Sequence, residues 1–149
     1  METKIREISQ SDYCVGVPAD WVDTSTLVYT NPTEQDSSFV ATITVSRWYP
    51  DRDEQLEDFS DRQIQALINL FNGLELIKNE YIKIDGINAK IIVYQFRHEN
   101  ILIKQAQIFF LRNNKGFIFS YTNVDSSFDA HFQLFLECVQ RFRELPTIE

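Results

Sequence analysis

Glycine, histidine and cysteine are scarce in this sequence, and most catalytic and metal-binding motifs depend on them. The 149 residues include four glycines, two histidines and two cysteines. Glycine-rich phosphate loops and the common hydrolase and metalloprotease signatures are absent from the sequence. His98 and His131 have no cysteine or histidine at metal-ligand spacing. We therefore expect no metal, no cofactor and no catalytic residues, and we predict that the protein is not an enzyme.

Positive charge is scarce as well. Fourteen Lys and Arg residues stand against 22 Asp and Glu residues, which gives a formal net charge of −8. Nucleic acids and anionic membrane surfaces both attract clustered Lys and Arg, so neither is an expected partner. No run of about 18 apolar residues occurs, and the opening METKIREISQSDY lacks the apolar core of a secretory signal. We expect a cytoplasmic protein without membrane insertion, in which Cys14 and Cys138 are reduced core thiols.

Apolar and aromatic residues, in contrast, are plentiful. Hydrophobic residues make up 44% of the chain and aromatic residues 13%, including 12 phenylalanines. This composition excludes a disordered chain, which needs low hydrophobicity. It predicts a single domain over residues 1–149 that buries roughly two thirds of its unfolded surface.

Apolar alternation and turn signals predict the order of strands and helices. The expected strands lie at about 13–18, 26–29, 39–50, 76–84, 88–96, 101–112 and 117–122. Asp58 or Ser60 is expected to cap a helix that ends at Asn72-Gly73, and a helix with a phenylalanine stripe begins near Asp129. Short turns make the last four strands an antiparallel meander. This order predicts an α+β fold, in which two main helices pack on a twisted antiparallel sheet of six to seven strands.

One predicted strand carries neutral amides on a side that is otherwise apolar. In IKQAQIFF, residues 103–110, Gln105 and Gln107 share one side with isoleucine and phenylalanine, because successive strand residues point to opposite faces. Gln63 likewise falls on the apolar stripe of the first predicted helix. These glutamines line either a solvated sheet face or a docking surface, where an amide donates and accepts hydrogen bonds without adding charge. The spacing alone leaves both interpretations open.

Five segments, taken in order, carry a resemblance to a known family. They are VPADW at 17–21, SFVATITVSR at 38–47, the pair Arg62-Gln63, DGINAKIIVYQF at 85–96 and KQAQIFF at 104–110. Over nearly its whole length the chain resembles the DcrB-related, PsbP-like family and, within it, the Eag chaperones of type VI secretion effectors. None of the segments is a catalytic signature. The resemblance implies a Mog1/PsbP-like sandwich, in agreement with the fold class predicted from the turns.

The resemblance also implies a function and a site. Eag chaperones are cytoplasmic, typically dimeric proteins that hold the hydrophobic N-terminal transmembrane segments of effectors before export. The implied partners are thus a second copy of the chain and such a segment, with or without the effector's PAAR spike region. Glutamines on a concave sheet surface bond to the bound helices, and apolar side chains cover them. The positions expected to hold the client helix are Gln63, Gln105, Gln107, Thr26, Val28 and Ile103, although Thr26 departs from the bulky aliphatic residue expected there.

Two other functions are open from the sequence. A PsbP-like protein could act instead as a cytoplasmic adaptor or regulatory subunit that binds a soluble protein. A neighbouring gene for an effector with hydrophobic N-terminal segments would favour the chaperone. An enzyme whose carboxylates converge from distant positions, or whose thiol is reactive, is the minority hypothesis, and labelling of Cys14 and Cys138 tests its thiol form.

Overall fold

The computed structural model describes residues 4–9, 12–32, 39–50 and 53–145. These residues form eight β-strands, two α-helices and a short 3-10 turn at Asp125–Ser127. In chain order the strands and helices are β1 (Ile5–Ser9), β2 (Cys14–Pro18), β3 (Leu27–Thr30), β4 (Thr42–Trp48), α1 (Leu56–Leu70), β5 (Glu75–Ile84), β6 (Ile87–His98), β7 (Ile101–Arg112), β8 (Lys115–Val124) and α2 (Phe128–Gln140). No helix within the described ranges is long and apolar enough to cross a membrane.

Six strands form one antiparallel sheet in the order β3-β4-β8-β7-β6-β5, and β1 pairs with β2 in a separate hairpin. The last four strands are a meander whose two-residue turns use left-handed backbone, at Asp85-Gly86, Glu99-Asn100 and Asn113-Asn114. Such turns match the right-handed twist of the flanking strands. The predicted α+β class and the meander are confirmed, whereas β1 lies in a polar stretch that the apolar pattern does not predict.

One side of the sheet, called the α2 face, carries most of the apolar core. Phe128, Phe135 and Val139 of α2 are buried against it as a helical stripe. The other buried residues of this cluster are Ala41, Ile84, Ala89, Ile91, Val93, Ala106, Ile108, Phe110, Phe117, Phe119 and Tyr121. The phenylalanine stripe predicted for the closing helix is therefore confirmed.

The opposite side, called the α1 face, holds a smaller cluster. There α1 packs Phe59 and Leu67 against buried strand side chains such as Phe109. The indole of Trp48 stacks on Phe59 with ring centroids 3.6 Å apart. It also lies over Gly116, where a Cβ atom would come within 2.0 Å of the indole. Glycine is needed at this point of β8 because any side chain would displace the Trp48 ring.

Two local predictions are wrong. The N-cap of α1 is Gln55, not Asp58 or Ser60: Asp58 Oδ2 accepts a hydrogen bond from the Gln55 backbone N–H at 3.1 Å, and Ser60 is buried. The two residues form a capping box in which the Gln55 side-chain amide takes the position usual for a serine or threonine hydroxyl.

Cys14 and Cys138, predicted in the core, are both exposed. Cys14 lies on the separate β1–β2 hairpin, and Cys138 faces away from the buried stripe of α2.

Candidate functional site

Two rows of small polar side chains cross the α1 face. In the first row, the strand register sets Thr42 of β4 opposite Thr122 of β8, and Thr122 opposite Gln105 of β7. Neighbouring strands lie about 4.8 Å apart, so a row extends roughly 10 Å over three strands. The six residues of the two rows, called the polar lane below, are Thr42, Thr122 and Gln105 in one row and Thr44, Ser120 and Gln107 in the other.

Hydrogen bonds fix the glutamine side chains of the polar lane. Gln63 Nε2 of α1 donates to Gln107 Oε1 at 3.1 Å, and Gln107 Nε2 donates to the Tyr94 hydroxyl of β6 at 3.1 Å. Gln105 Nε2 donates to Thr122 Oγ1 at 2.7 Å. Burial raises the pKa of Tyr94 well above its ordinary value, so the phenol stays neutral at physiological pH. Helix α1 and strands β6, β7 and β8 are thus connected by uncharged polar groups.

The polar lane is most buried where its second row crosses β8 and β7, and it is more open along the first row and on β4. Gln107 and Ser120 are each 7% exposed, whereas Gln63, Gln105 and the threonines are half-buried. Val28 of β3 lies at the edge of the sheet, at the end of the second row, and is 59% exposed. Among the described residues, the Gln63 and Gln105 amides make one hydrogen bond each. Each therefore keeps a carbonyl oxygen and an N–H for a partner.

The structure brings some of the predicted residues together and separates others. The three predicted glutamines lie in or beside the polar lane, and Val28 lies at its outer end. Thr26 is exposed and precedes β3 instead of belonging to it. Ile103 is 5% exposed and packs in the apolar cluster beneath α1, so it offers almost no surface to a partner.

Sequence reasoning missed the hydroxyl half of the polar lane. Thr42 and Thr44 alternate with apolar residues in TITVS, and Ser120 and Thr122 alternate in SYT. This spacing indicates that each pair shares a strand face. It does not reveal that β4 lies beside β8, and only this pairing sets the hydroxyls next to the glutamines of β7.

The segment that precedes β3 is held to β4 by an ion pair. Asp23 accepts hydrogen bonds from the Ser25 hydroxyl at 2.6 Å and the Ser25 backbone N–H at 2.9 Å, and it forms an ion pair with Arg47 of β4. The Ser25 hydrogen bonds and the Arg47 guanidinium lower the pKa of Asp23 from 3.8 to about 2, against a smaller opposing effect of burial. Arg6 Nη2 donates to the Trp21 carbonyl at 3.1 Å, which joins the β1–β2 hairpin to this segment.

Histidines and cysteines lie apart from the polar lane. His98 is exposed at the end of β6, and His131 Nε2 lies 3.3 Å from Asn31 Nδ2. Cys14 Sγ lies 3.1 Å from the Ser9 hydroxyl. Within the described part of the chain, no three His, Cys, Asp or Glu side chains are grouped to hold a metal ion. The chemistry that the polar lane offers is hydrogen bonding by neutral groups.

A six-stranded antiparallel sheet with a helix on each face defines an α+β sandwich of the PsbP-like class. The family model described as DcrB matches residues 14–141. The chain therefore belongs to the DcrB family. No curated protein sequence shows significant similarity to it.

Solved structures share this fold. PA94 of Pseudomonas aeruginosa, a protein of unknown function described as a candidate regulator, is 22% identical with a TM-score of 0.77, over 96% of this chain and 99% of PA94. CyanoP, the cyanobacterial PsbP of Synechocystis sp. PCC 6803, is 15% identical with a TM-score of 0.54, over 93% of this chain and 91% of CyanoP. At these identities the likeness establishes the fold alone.

Proposed function

We propose that this DcrB-family protein is an effector-associated chaperone of the type VI secretion system. It binds the hydrophobic N-terminal transmembrane helix of a cognate effector in the cytoplasm and shields it until export. Family and fold support the coarser description, a protein-binding adaptor. The polar lane supports the finer one, through its shape and its neutral hydrogen-bonding groups.

The polar lane carries the proposal because it offers what transmembrane helices use when they pack against one another. Such helices associate through small residues that allow close backbone approach, and through hydroxyl and amide hydrogen bonds. The lane combines small hydroxyl side chains with the amide of Gln105, and the amide of Gln63 on α1 lies beside it. Its width of roughly 10 Å over three strands is close to the 10–12 Å diameter of a helix.

Charge and apolar contacts are consistent with this role. The lane itself contains no ionised side chain, so a bound apolar helix would not desolvate a charge there. Val28 supplies an exposed apolar side chain at the sheet edge. The formal net charge of −8 favours the solubility of a loaded complex.

The first test is to capture the tagged protein from its native cells without detergent and to identify what binds by mass spectrometry. We expect a polypeptide with transmembrane segments near its N-terminus. With that segment as the probe, Gln63→Ala and Gln105→Ala should each weaken binding roughly two- to twelvefold, since one hydrogen bond contributes about 0.5–1.5 kcal/mol.

A matched control lies on the same helix. Gln65 is exposed on α1, where its Nε2 donates to Asn69 Oδ1 at 3.3 Å. Gln65→Ala should keep wild-type affinity, and thermal unfolding should show that all three variants fold. Full affinity of both Gln63→Ala and Gln105→Ala for the client segment would reject the polar lane as the binding site.

A second candidate function is an adaptor or regulatory subunit for a soluble protein. The hydroxyl-rich character of the lane favours this function. The burial of Ile103 and the polarity of Thr26 favour it as well, because each reduces the apolar surface that a transmembrane helix could contact. Recovery of soluble globular partners alone, without any polypeptide that has transmembrane segments, would select this function over the chaperone.

A further inference from the structure

A cavity lies on the α2 face, beside helix α2 and over the outer strands of the sheet. Helix α2 packs chiefly on β8, and β4 and β3 lie beyond β8 toward one margin of the sheet. There the described residues line a cavity of about 370 Å³. Well-packed protein interiors contain few voids larger than a water molecule. A space of this size is therefore a candidate binding site and not ordinary core packing.

One row of side chains across three strands forms the floor of the cavity. The strand register sets Tyr29 of β3 opposite Ile43 of β4, and Ile43 opposite Tyr121 of β8. All three residues line the cavity. Tyr121 is fully buried, and its hydroxyl donates to the Phe128 carbonyl at 2.7 Å, which fixes the phenol in place. The floor is thus an aliphatic side chain with a tyrosine on each side.

Helix α2 supplies one wall of the cavity. His131 and Leu134 are three residues apart, so they lie on the same side of the helix, and both line the cavity. Leu134 is 53% exposed and Tyr29 is 60% exposed. The cavity is therefore open to solvent at these two side chains, and a bound molecule would cover them.

Polar groups meet at one end of the cavity. His131 Nε2 lies 3.3 Å from Asn31 Nδ2, which links α2 to the residue that follows β3. The Asn31 backbone N–H donates to the Ala41 carbonyl at 3.0 Å, so pairing with β4's side of the sheet sets the position of the amide. Amide and neutral imidazole groups both donate and accept hydrogen bonds. This end can orient a ligand that carries one hydroxyl group.

The lining carries no strongly charged side chain. Among the described residues around the cavity, none is Asp, Glu, Lys or Arg. A carboxylate or ammonium group would lose hydration there without gaining an ion pair. The formal net charge of −8 also repels anions. The cavity therefore favours neutral, mostly apolar molecules.

The volume limits the ligand to about two fused rings. An apolar cavity of roughly 150 Å³ holds benzene, so about 370 Å³ has room for a bicyclic molecule. Small-molecule sites in proteins begin at roughly 300 Å³. Tyr29 and Tyr121 favour a flat aromatic ligand, because aromatic pairs gain free energy beyond the burial of their area.

We propose that this cavity binds a small, neutral, bicyclic aromatic molecule. Its rings lie over Tyr29 and Ile43, and its single hydroxyl group is directed to Asn31 and His131. Such a ligand bridges α2 and the outer strands of the sheet. The inference does not rest on the proposed function, because the cavity lies on the α2 face and the polar lane on the α1 face.

Calorimetric titration of the whole protein with 2-naphthol tests the ligand class. We expect one molecule bound per chain, and an unfolding temperature that rises with 2-naphthol concentration, because a ligand of the native state stabilises it. 2-Naphthoate has the same rings with a carboxylate and should bind roughly tenfold more weakly or worse. Absence of 2-naphthol binding, or 2-naphthoate binding of equal strength, would overturn the proposal.

A pair of tyrosine variants tests the location. Tyr29→Ala should weaken 2-naphthol binding roughly two- to twelvefold, since an aromatic pair contributes about 0.5–1.5 kcal/mol. Tyr13→Ala is the matched control, because Tyr13 is also 60% exposed but precedes β2 and does not line the cavity. It should keep wild-type affinity. If the two variants bind 2-naphthol equally well, the assigned cavity is wrong.

The polar end is tested by His131→Phe. This change keeps a ring in the wall of the cavity and removes the imidazole nitrogens. It should weaken 2-naphthol binding roughly two- to twelvefold through the loss of one hydrogen bond. Wild-type affinity of a folded His131→Phe would contradict the proposed recognition of the hydroxyl group.

Occupancy of the cavity is tested by Ala41→Phe. Ala41 is a small buried residue of the lining, so the new ring should fill part of the cavity and reduce 2-naphthol binding at least about tenfold. Thermal unfolding measures whether the variant folds, and the exposed Tyr29→Ala keeps the test decisive where it does not. A folded Ala41→Phe that binds 2-naphthol like the wild type would refute the site.

Discussion

On the α2 face, the sheet and helix α2 build one continuous cluster of rings. The ring centroids of Phe110, Phe117 and Phe119 lie 4.8 to 5.9 Å from that of Phe142, which follows α2. On the α1 face of the same strands, the chain sets amides and hydroxyls, among them the buried Gln107 and Ser120. Neighbouring residues of one strand thus meet apolar packing on one side and hydrogen bonding on the other.

This difference separates the face that carries most of the apolar packing from the face on which we propose that a partner binds. Apolar burial contributes roughly 25 cal/mol per Å², and most of it lies on the α2 face. Helix α1 packs over β6 and β7 and leaves the hydroxyls of β4 half-buried. Polar side chains stay hydrated at little cost in free energy, so such a surface can remain exposed until a partner binds.

The largest effect is expected from truncating the α2 cluster. Phe135 is fully buried, and its ring centroid lies 5.6 Å from that of Tyr121. Phe135→Ala should lower the free energy of unfolding by about 3–5 kcal/mol, because it removes apolar contacts and leaves a cavity. Leu134→Ala, at an exposed neighbouring position of α2, is the control and should change it by about 0.5 kcal/mol or less. Similar losses for the two variants, measured by chemical denaturation, would show that the α2 face does not dominate stability.

Much of the fold could be predicted from local sequence signals. The three turns of the meander require left-handed backbone, and Gly86, Asn100 and Asn114 are residue types that tolerate it. The phenylalanine stripe of α2 follows the helical period. Both signals act over a few residues, so they can be read without knowing the topology. The exceptions are β1, which has no apolar alternation, and the Gln55 cap.

The candidate site could be predicted only in part, because it depends on which strands are neighbours. The alternation of β7 places Gln105 and Gln107 on one side, as expected from the sequence. The pairing of β4 with β8 joins strands about 70 residues apart in the chain, and no local signal determines it. The burial of Ile103 also depends on tertiary packing, here the packing of α1 on the sheet. Ile103 shares its strand face with the half-buried Gln105, so the alternation of β7 alone does not distinguish a buried position from an open one.

A second, intermediate effect is expected within the α1 face. Gln107→Leu removes the acceptor of Gln63 and the donor to Tyr94, and it leaves the buried Tyr94 hydroxyl without that bond. We expect a loss of about 1–3 kcal/mol in the free energy of unfolding, the cost of an unsatisfied buried polar group. Adding Tyr94→Phe should cost less than the sum of the single changes, because the orphaned hydroxyl is removed with its partner. Strict additivity in this double-mutant cycle would mean that the two side chains are not coupled.

The smallest effect separates the two faces at adjacent positions of one strand. Thr44 belongs to the polar lane, and Val45 packs at the margin of the α2 cluster, although both are half-buried. Thr44→Val should leave the free energy of unfolding within about 0.5 kcal/mol of wild type, because the Thr44 side chain is only half-buried. Val45→Thr should lower it by about 1–2 kcal/mol, because a hydroxyl on the apolar face loses water without gaining a hydrogen bond. In the client-binding assay the order should reverse: Thr44→Val should lower the affinity for the client segment more than Val45→Thr does. If Thr44→Val proved the more destabilising of the two, the polar lane would be part of the folding core, and its value as a binding surface would have to be abandoned.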